Sequence, residues 1–193
     1  FLDGLQERID EPTLLVAFMR KLLNDEIRAR SARNQMQAKL FGEELEAVLA
    51  RYRNRQITSA EVVKALVELA KKVRDAKHRH EELGLTEEEA AFYDALAGTA
   101  EDLTADAQVA EIARELVKGI RNDLSVDWTS HESREAAIRR KIKRLLRKHK
   151  YRPPAPRGGG KSQLSLDEAT SLILGQARAL YRRWPEIEAE LPL

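Results

Sequence analysis

One stretch of the chain resembles part of a phosphate-binding loop. Residues 158–162 read Gly-Gly-Gly-Lys-Ser, and a Gly-Lys-Ser ending is typical of loops that hold nucleotide phosphates. The complete motif also needs an earlier glycine and a preceding strand, which position the backbone amides around the phosphate. The earlier glycine is absent and proline-rich sequence precedes the stretch, so we interpret it as a flexible linker rather than a nucleotide site.

Histidines and acidic residues are the next candidates for chemistry. His78 and His80 lie two positions apart on a predicted helix, so their side chains point in different directions and do not converge on a metal ion. Residues 87–89 are three glutamates in the first turn of another predicted helix, where the helix dipole stabilises negative charge. The chain has no cysteine, which excludes disulfides and thiolate zinc sites. We therefore predict no catalytic residue, no metal site and no cofactor.

The strongest chemical signal is a concentration of positive charge. Residues 131–152 contain ten lysines and arginines against two acids, a net charge of +8, although the whole chain carries only +2. Cations four residues apart on a helix repel one another by roughly 0.2–0.5 kcal/mol per pair. The residues predicted to bind an acidic partner or nucleic acid are Arg139, Arg140, Lys143, Arg144, Arg147 and Lys148.

Three sources of negative charge would offset this repulsion. They are the acidic helices of the chain itself, an acidic protein partner, and the phosphates of a nucleic acid. Aromatic residues are not interleaved with the cations, so stacking on the bases of a single strand is not expected. The remaining nucleic-acid hypothesis is duplex DNA, and the sequence alone leaves the three sources open.

The elements that position these residues are predicted to be helices. Charged residues make up 34% of the chain and aromatic residues 5%, and the commonest types are good helix formers. Apolar residues recur at helical spacing and no segment alternates as a strand would, so we predict an all-α fold, a compact bundle of about seven helices with no sheet. Four Ser/Thr-x-x-Glu capping boxes mark predicted helix starts, namely Thr58…Glu61, Thr86…Glu89, Thr129…Glu132 and Ser165…Glu168.

The domain organisation follows from the linker. We predict a helical core domain over residues 1–152, a Pro/Gly-rich linker loop over 153–164, and a C-terminal helix over 165–193 that packs on the core. Residues 14–19 are apolar all the way round and are expected to be buried on every side, against a neighbouring helix or against a part of the parent protein that this chain lacks. The chain starts at Phe1 without a methionine, has no secretory signal and has no apolar run of membrane-spanning length. We therefore expect a piece of a larger cytoplasmic protein with no membrane association.

Several short sequences, in a particular order, give the chain a family resemblance. It resembles the C-terminal helical region of the R subunit, the motor and nuclease subunit, of type I restriction enzymes. The resemblance covers about residues 20–184. It is carried by Arg-Tyr-Arg-Asn-Arg at 51–55, Leu-Gly-Leu-Thr at 83–86, Ala-Phe-Tyr-Asp-Ala-Leu at 91–96, Ile-Ala-Arg-Glu-Leu-Val at 112–117, Val-Asp-Trp-Thr at 126–129 and Lys-Arg-Leu-Leu-Arg-Lys at 143–148.

The resemblance implies a division of labour within a larger subunit. The parent would be a type I site-specific deoxyribonuclease with ATP-dependent translocase activity, and its nuclease and motor motifs have no counterpart in this chain. The resemblance therefore implies a non-catalytic assembly domain that docks the R subunit to the methyltransferase core. The implied partners are the M and S methyltransferase subunits and the rest of the R subunit. The alternative hypothesis is a non-specific duplex-DNA contact surface on the basic helix at 134–150.

Overall fold

A computed structural model describes residues 12–97, 106–124, 128–153 and 164–182. These residues form seven α-helices and one short 3-10 helix, and none of them lies in a strand, which confirms the predicted all-α class. In chain order the helices are α1 (Pro12–Ser31), α2 (Gln35–Arg53), α3 (Ser59–Glu82), α4 (Glu87–Ala97), α5 (Ala107–Asp123), the 3-10 helix (Trp128–Ser130), α6 (Glu132–Lys148) and α7 (Leu166–Leu180).

Three of the four predicted capping boxes are present. In each, the glutamate carboxylate accepts a hydrogen bond from the backbone amide of the Ser or Thr, and the Ser or Thr oxygen accepts one from the glutamate amide. The pairs are Thr58 with Glu61, Thr86 with Glu89, and Ser165 with Glu168. The backbone amides of Thr58 and Ser165 hold the pKa of Glu61 and of Glu168 below the usual value. These bonds fix the starts of α3, α4 and α7.

The fourth predicted box is wrong, because tertiary packing determines where α6 begins. Thr129 lies inside the 3-10 helix, and the residue that precedes α6 is His131, whose side chain makes no capping bond. The cause is Trp128, which is buried and donates its indole N–H to the Tyr181 carbonyl oxygen at 2.9 Å.

The described chain divides into two compact units. The first comprises residues 12–31 and 37–79, and its apolar core is formed by α1, α2 and α3. Fully buried side chains include Leu45, Leu66 and Leu69. Only one face of α1 joins this core, so the structure buries residues 14–19 on one side, and the expected cover of the other side stays a prediction.

The second unit comprises residues 32–36 and the described residues from 80 to 182. Helix α4 contacts both α5 and α7, and α6 contacts the same two helices, so four helices enclose one core. Every residue of α4 from Ala90 to Ala97 is buried, so this short, largely apolar helix is enclosed on all sides. Helix α7 ends at Leu180, and the Tyr181 carbonyl accepts the Trp128 indole bond.

A buried polar cluster holds the turn between α1 and α2 on the second unit. Asp94 of α4 accepts hydrogen bonds from the Asn34 side-chain amide at 2.6 Å, and its other oxygen lies 3.1 Å from His80 Nε2. Gln176 of α7 accepts from the Gln35 backbone amide at 2.9 Å and donates to the Arg33 carbonyl at 2.8 Å. Residues 32–36 therefore belong to the second unit although the chain on both sides of them belongs to the first.

The predicted linker loop at 153–164 lies mostly outside the described residues, which resume at Leu164. Residues 183–193 lie outside them as well. The division into a core domain, a linker and a packed C-terminal helix therefore stays a prediction.

Candidate cationic interaction surface

The basic helix α6 is oriented by its apolar residues. Ile138, Ile142 and Leu146 recur every four residues and are buried in the core of the second unit. Because residues four apart lie on one face of a helix, this stripe turns the remaining positions toward the neighbouring helices or toward solvent. The cations of α6 consequently fall into three rows, one beside α5, one beside α7 and one opposite the core.

The row beside α5 is neutralised within the chain. Lys141 Nζ lies 2.6 Å from Asp123 Oδ2 and donates to the Gly119 carbonyl at 2.7 Å. Lys148 Nζ lies 2.9 Å from both carboxylate oxygens of Glu115. The hydrogen bond from Lys148 holds the pKa of Glu115 below its usual value. These lysines therefore act as internal ion-pair partners.

The row beside α7 is also engaged. Lys143 Nζ lies 2.5 Å from Asp167 Oδ1, and Arg139 Nη1 donates to Ser171 Oγ at 3.2 Å. The hydrogen bond from Lys143 is the largest cause of the lowered pKa of Asp167, and the charges of Arg147 and Arg139 lower it further. The acidic first turn of α7 thus faces two cations of α6.

The third row is the arginine ridge, which we define as Arg140, Arg144 and Arg147. All three side chains are exposed. Their spacing of four and three residues places them on the helix face opposite Ile142, about 6 Å and 4.5 Å apart along the axis. Within the part of the chain that the structure describes, Arg140 and Arg144 have no acidic partner, and Arg147 has only the longer-range influence of Asp167.

The structure therefore divides the six predicted binding residues into two groups. Lys143 and Lys148 form ion pairs and Arg139 bonds a serine, whereas the arginine ridge remains open to solvent. Of the three sources of negative charge that the sequence left open, the acids of the chain itself therefore serve the cations beside α5 and α7. In the described part of the chain they form no ion pair with the arginine ridge. The two groups of cations differ in their angular distance from the apolar stripe, and a helical wheel drawn from the sequence shows this difference.

The described residues contain no group of three or more His, Cys, Asp or Glu side chains that could hold a metal ion. His80 is occupied by its contact with Asp94, while His78 is exposed. None of the helices in the described part is long and apolar enough to cross a membrane.

A second surface feature lies on the first unit. Leu14, Phe18 and Leu22 recur every four residues along α1 and are 58%, 38% and 40% exposed. They are the exposed large apolar side chains of the described residues, and they share one face of one helix. We refer to these three residues as the α1 stripe. Such a concentration on one face is typical of a surface that another protein segment covers.

With both surfaces located, the chain can be compared with known proteins. Residues 1–183 match the family model described as type I restriction enzyme HindI endonuclease subunit-like, C-terminal. The chain belongs to this family. The resemblance inferred from the short sequence motifs is therefore confirmed for a HindI-like C-terminal domain.

Two curated relatives agree with this assignment. The chain is 42% identical over 130 residues to the putative type I restriction enzyme MjaIXP endonuclease subunit of Methanocaldococcus jannaschii, a match covering 66% of the chain and 12% of that protein. It is 33% identical over 180 residues to the type I restriction enzyme HindI endonuclease subunit of Haemophilus influenzae, covering 91% of the chain and 16% of that protein. No solved structure matches the chain. The chain thus spans less than a fifth of each relative.

Proposed function

We propose that this chain is a non-catalytic assembly domain that docks a type I restriction endonuclease subunit to a methyltransferase core of M and S subunits. The observation that carries the proposal is the family match, which assigns residues 1–183 to the C-terminal part of such subunits. In addition, the described residues hold buried apolar cores and internal ion pairs and contain no candidate metal cluster. In this proposal the cleavage of DNA and the ATP-dependent translocation belong to other parts of the parent subunit.

The α1 stripe supports a second contact within the same assembly, made to the rest of the endonuclease subunit. The relatives are more than five times longer than the matched stretch, so most of each relative lies outside the region that resembles this chain. Helix α1, with apolar side chains on a buried face and on an exposed face, is suited to packing against another part of such a subunit. Side chains of this size each stabilise a contact by about 1.5–3 kcal/mol when they are fully buried from water.

The docking proposal is tested by co-elution. The purified domain is mixed with the cognate methyltransferase complex and passed over a size-exclusion column, and it is also added to a cleavage assay with the full-length endonuclease subunit. We expect co-elution, together with inhibition of cleavage as the domain occupies the docking position. If the domain neither co-elutes with the methyltransferase complex nor inhibits cleavage, it does not dock to the methyltransferase.

The contact of the α1 stripe is tested with two triple variants in the isolated domain and in the full-length subunit. One replaces the α1 stripe with serine; the control replaces Arg20, Asn24 and Arg28, which are exposed on α1 at the same spacing. We expect the stripe variant to destabilise the full-length subunit more than it destabilises the isolated domain, because the three side chains already face solvent in the domain alone. Equal effects in both proteins would exclude this contact.

A further inference from the structure

We propose that the arginine ridge binds the phosphate backbone of duplex DNA with little sequence preference. This inference goes beyond docking, since it concerns a different unit from the α1 stripe and a different class of ligand. The ridge differs from the lysines beside it in its ion-pair partners. Lys141, Lys143 and Lys148 each lie within 3 Å of a carboxylate oxygen, whereas Arg140 and Arg144 have none in the described part of the chain.

The contrast leaves the ridge available to a ligand from outside the chain. Arg140 and Arg144 are four residues apart, and so repel each other by a few tenths of a kcal/mol. The neighbouring acids Glu115, Asp123 and Asp167 are already bonded to lysines and leave the outermost row uncompensated. A polyanion that approaches the exposed face of α6 would remove this repulsion.

The chemistry of the ridge favours phosphates over an acidic protein. The other residues on its face are Ser133 and Ala137, which are small and exposed, so the face offers no large apolar side chain. The centre of a protein interface normally contains aromatic or large apolar residues, whereas binding to a nucleic-acid backbone depends mainly on charge. Guanidinium groups also match phosphate oxygens in a two-pronged geometry that lysine cannot form.

The shape of the ridge favours a duplex. Helix α6 holds the three guanidinium groups in one row about 10 Å long, and a duplex presents a dense, regular line of phosphates to such a row. Binding to single strands commonly relies on aromatic side chains that stack on bases, and α6 contains no aromatic residue. Contacts to phosphates carry no sequence information, so binding through the phosphate backbone is expected to be independent of sequence.

The test is the salt dependence of binding. The whole chain is titrated into a fluorescent duplex of random sequence, and anisotropy is measured at several salt concentrations. Each neutralised phosphate contributes about −0.9 to the slope of log K against log salt, so three contacts contribute about −2.7. Replacing all three ridge arginines with glutamine should flatten the slope by up to that amount. The ridge contribution corresponds to a roughly 40-fold change in affinity between about 50 and 200 mM salt.

Two control variants separate the ridge from net charge and from charge type. Replacing Arg20, Arg28 and Lys64 with glutamine removes the same three charges from exposed positions on the first unit and should leave the slope unchanged. Replacing the ridge arginines with lysine keeps the charge, so the slope should persist while affinity falls moderately. Circular dichroism of each variant establishes that the helices are intact.

The outcomes are distinct from those of the docking test. A ridge variant with an unchanged slope, or wild-type chain that does not bind duplex at the lowest salt, would overturn the proposal. So would a ridge variant that binds DNA normally but no longer co-elutes with the methyltransferase complex, because the ridge would then be a protein contact. If docking fails while the salt slope depends on the ridge, the DNA proposal stands and the assembly proposal falls.

Discussion

The buried carboxylate of Asp94 offers the sharpest test of how the second unit is held together. Asp94 is 6% exposed and accepts hydrogen bonds from Asn34, in the turn between α1 and α2, and from His80, at the end of α3. We predict that Asp94→Ala destabilises this unit more than the loss of an ordinary surface acid, because both donors lose their acceptor in a buried site.

The magnitude follows from the two bonds. A hydrogen bond to a charged group is worth about 1.5–3 kcal/mol, so the loss of two predicts a cost of about 3–6 kcal/mol for Asp94→Ala. Asn34→Ala should cost about 1.5–3 kcal/mol, since it removes one of them. The double variant should cost less than the two single variants together by about 1.5 kcal/mol, because the Asn34–Asp94 bond can be lost only once.

The assay is urea unfolding followed by the fluorescence of Trp128, which is buried in the same core. The chain has two tryptophans, so a Trp184→Phe background leaves Trp128 as the reporter. The matched control is Asp123→Ala, which removes an acid of the same unit whose side chain is 48% exposed and pairs with Lys141. Exposed pairs contribute about 0–1 kcal/mol, and the control should fall in that range.

Two results would refute this reasoning. If Asp94→Ala costs no more than Asp123→Ala, the cluster does not stabilise the unit. If the double variant costs the full sum of the two single variants, Asn34 and Asp94 are not energetically coupled, and the turn is held by its bonds to Gln176 instead.

Three further predictions concern caps, core packing and pH. Ser165→Ala should cost about 1 kcal/mol, since it removes the cap of α7, whereas Thr129→Ala removes no cap bond and should cost much less; chemical unfolding measures both. Leu66→Ala should cost about 2–5 kcal/mol in thermal unfolding, because Leu66 is fully buried; a cost below 1 kcal/mol would contradict its place in the core. The pKa values of Glu115 and Asp167 are lowered from their usual 4.5 and 3.8, so the stability from their ion pairs is present above those values and lost as the pH falls through the lower folded values. The melting temperature should therefore drop on acidification below about pH 4. An unchanged melting temperature would show that these ion pairs contribute nothing to stability.

Local sequence signals predicted most of the helices because their physical causes are local. The capping boxes at Thr58, Thr86 and Ser165 depend on residues three positions apart, so they are visible in the sequence and present in the structure. The end of α3 before Gly84 is equally local, since this glycine has a φ of 60°, a conformation that costs glycine little.

Errors occurred where distant residues determine the conformation. Thr129 and Glu132 have the spacing of a capping box, but burial of Trp128 and its bond to Tyr181 impose a 3-10 turn there instead. Nor does the apolar sequence of residues 14–19 reveal which face of α1 meets the core. That depends on where α2 and α3 lie, and the structure leaves Leu14 and Phe18 exposed.

For the candidate surface, the sequence by itself determined the chemistry: a helix with one narrow apolar stripe and cations around most of its circumference. It also determined the family, because the order of the short motifs is visible in the sequence without knowledge of any contact. Only the tertiary structure decided which cations are available. Lys143 and Lys148 meet Asp167 and Glu115 because α5 and α7 flank α6, and these acids are 24 and 33 residues away in sequence. The arginine ridge stays open because no described helix of the second unit covers the side of α6 opposite its buried stripe, and helical periodicity turns Arg140, Arg144 and Arg147 to that side.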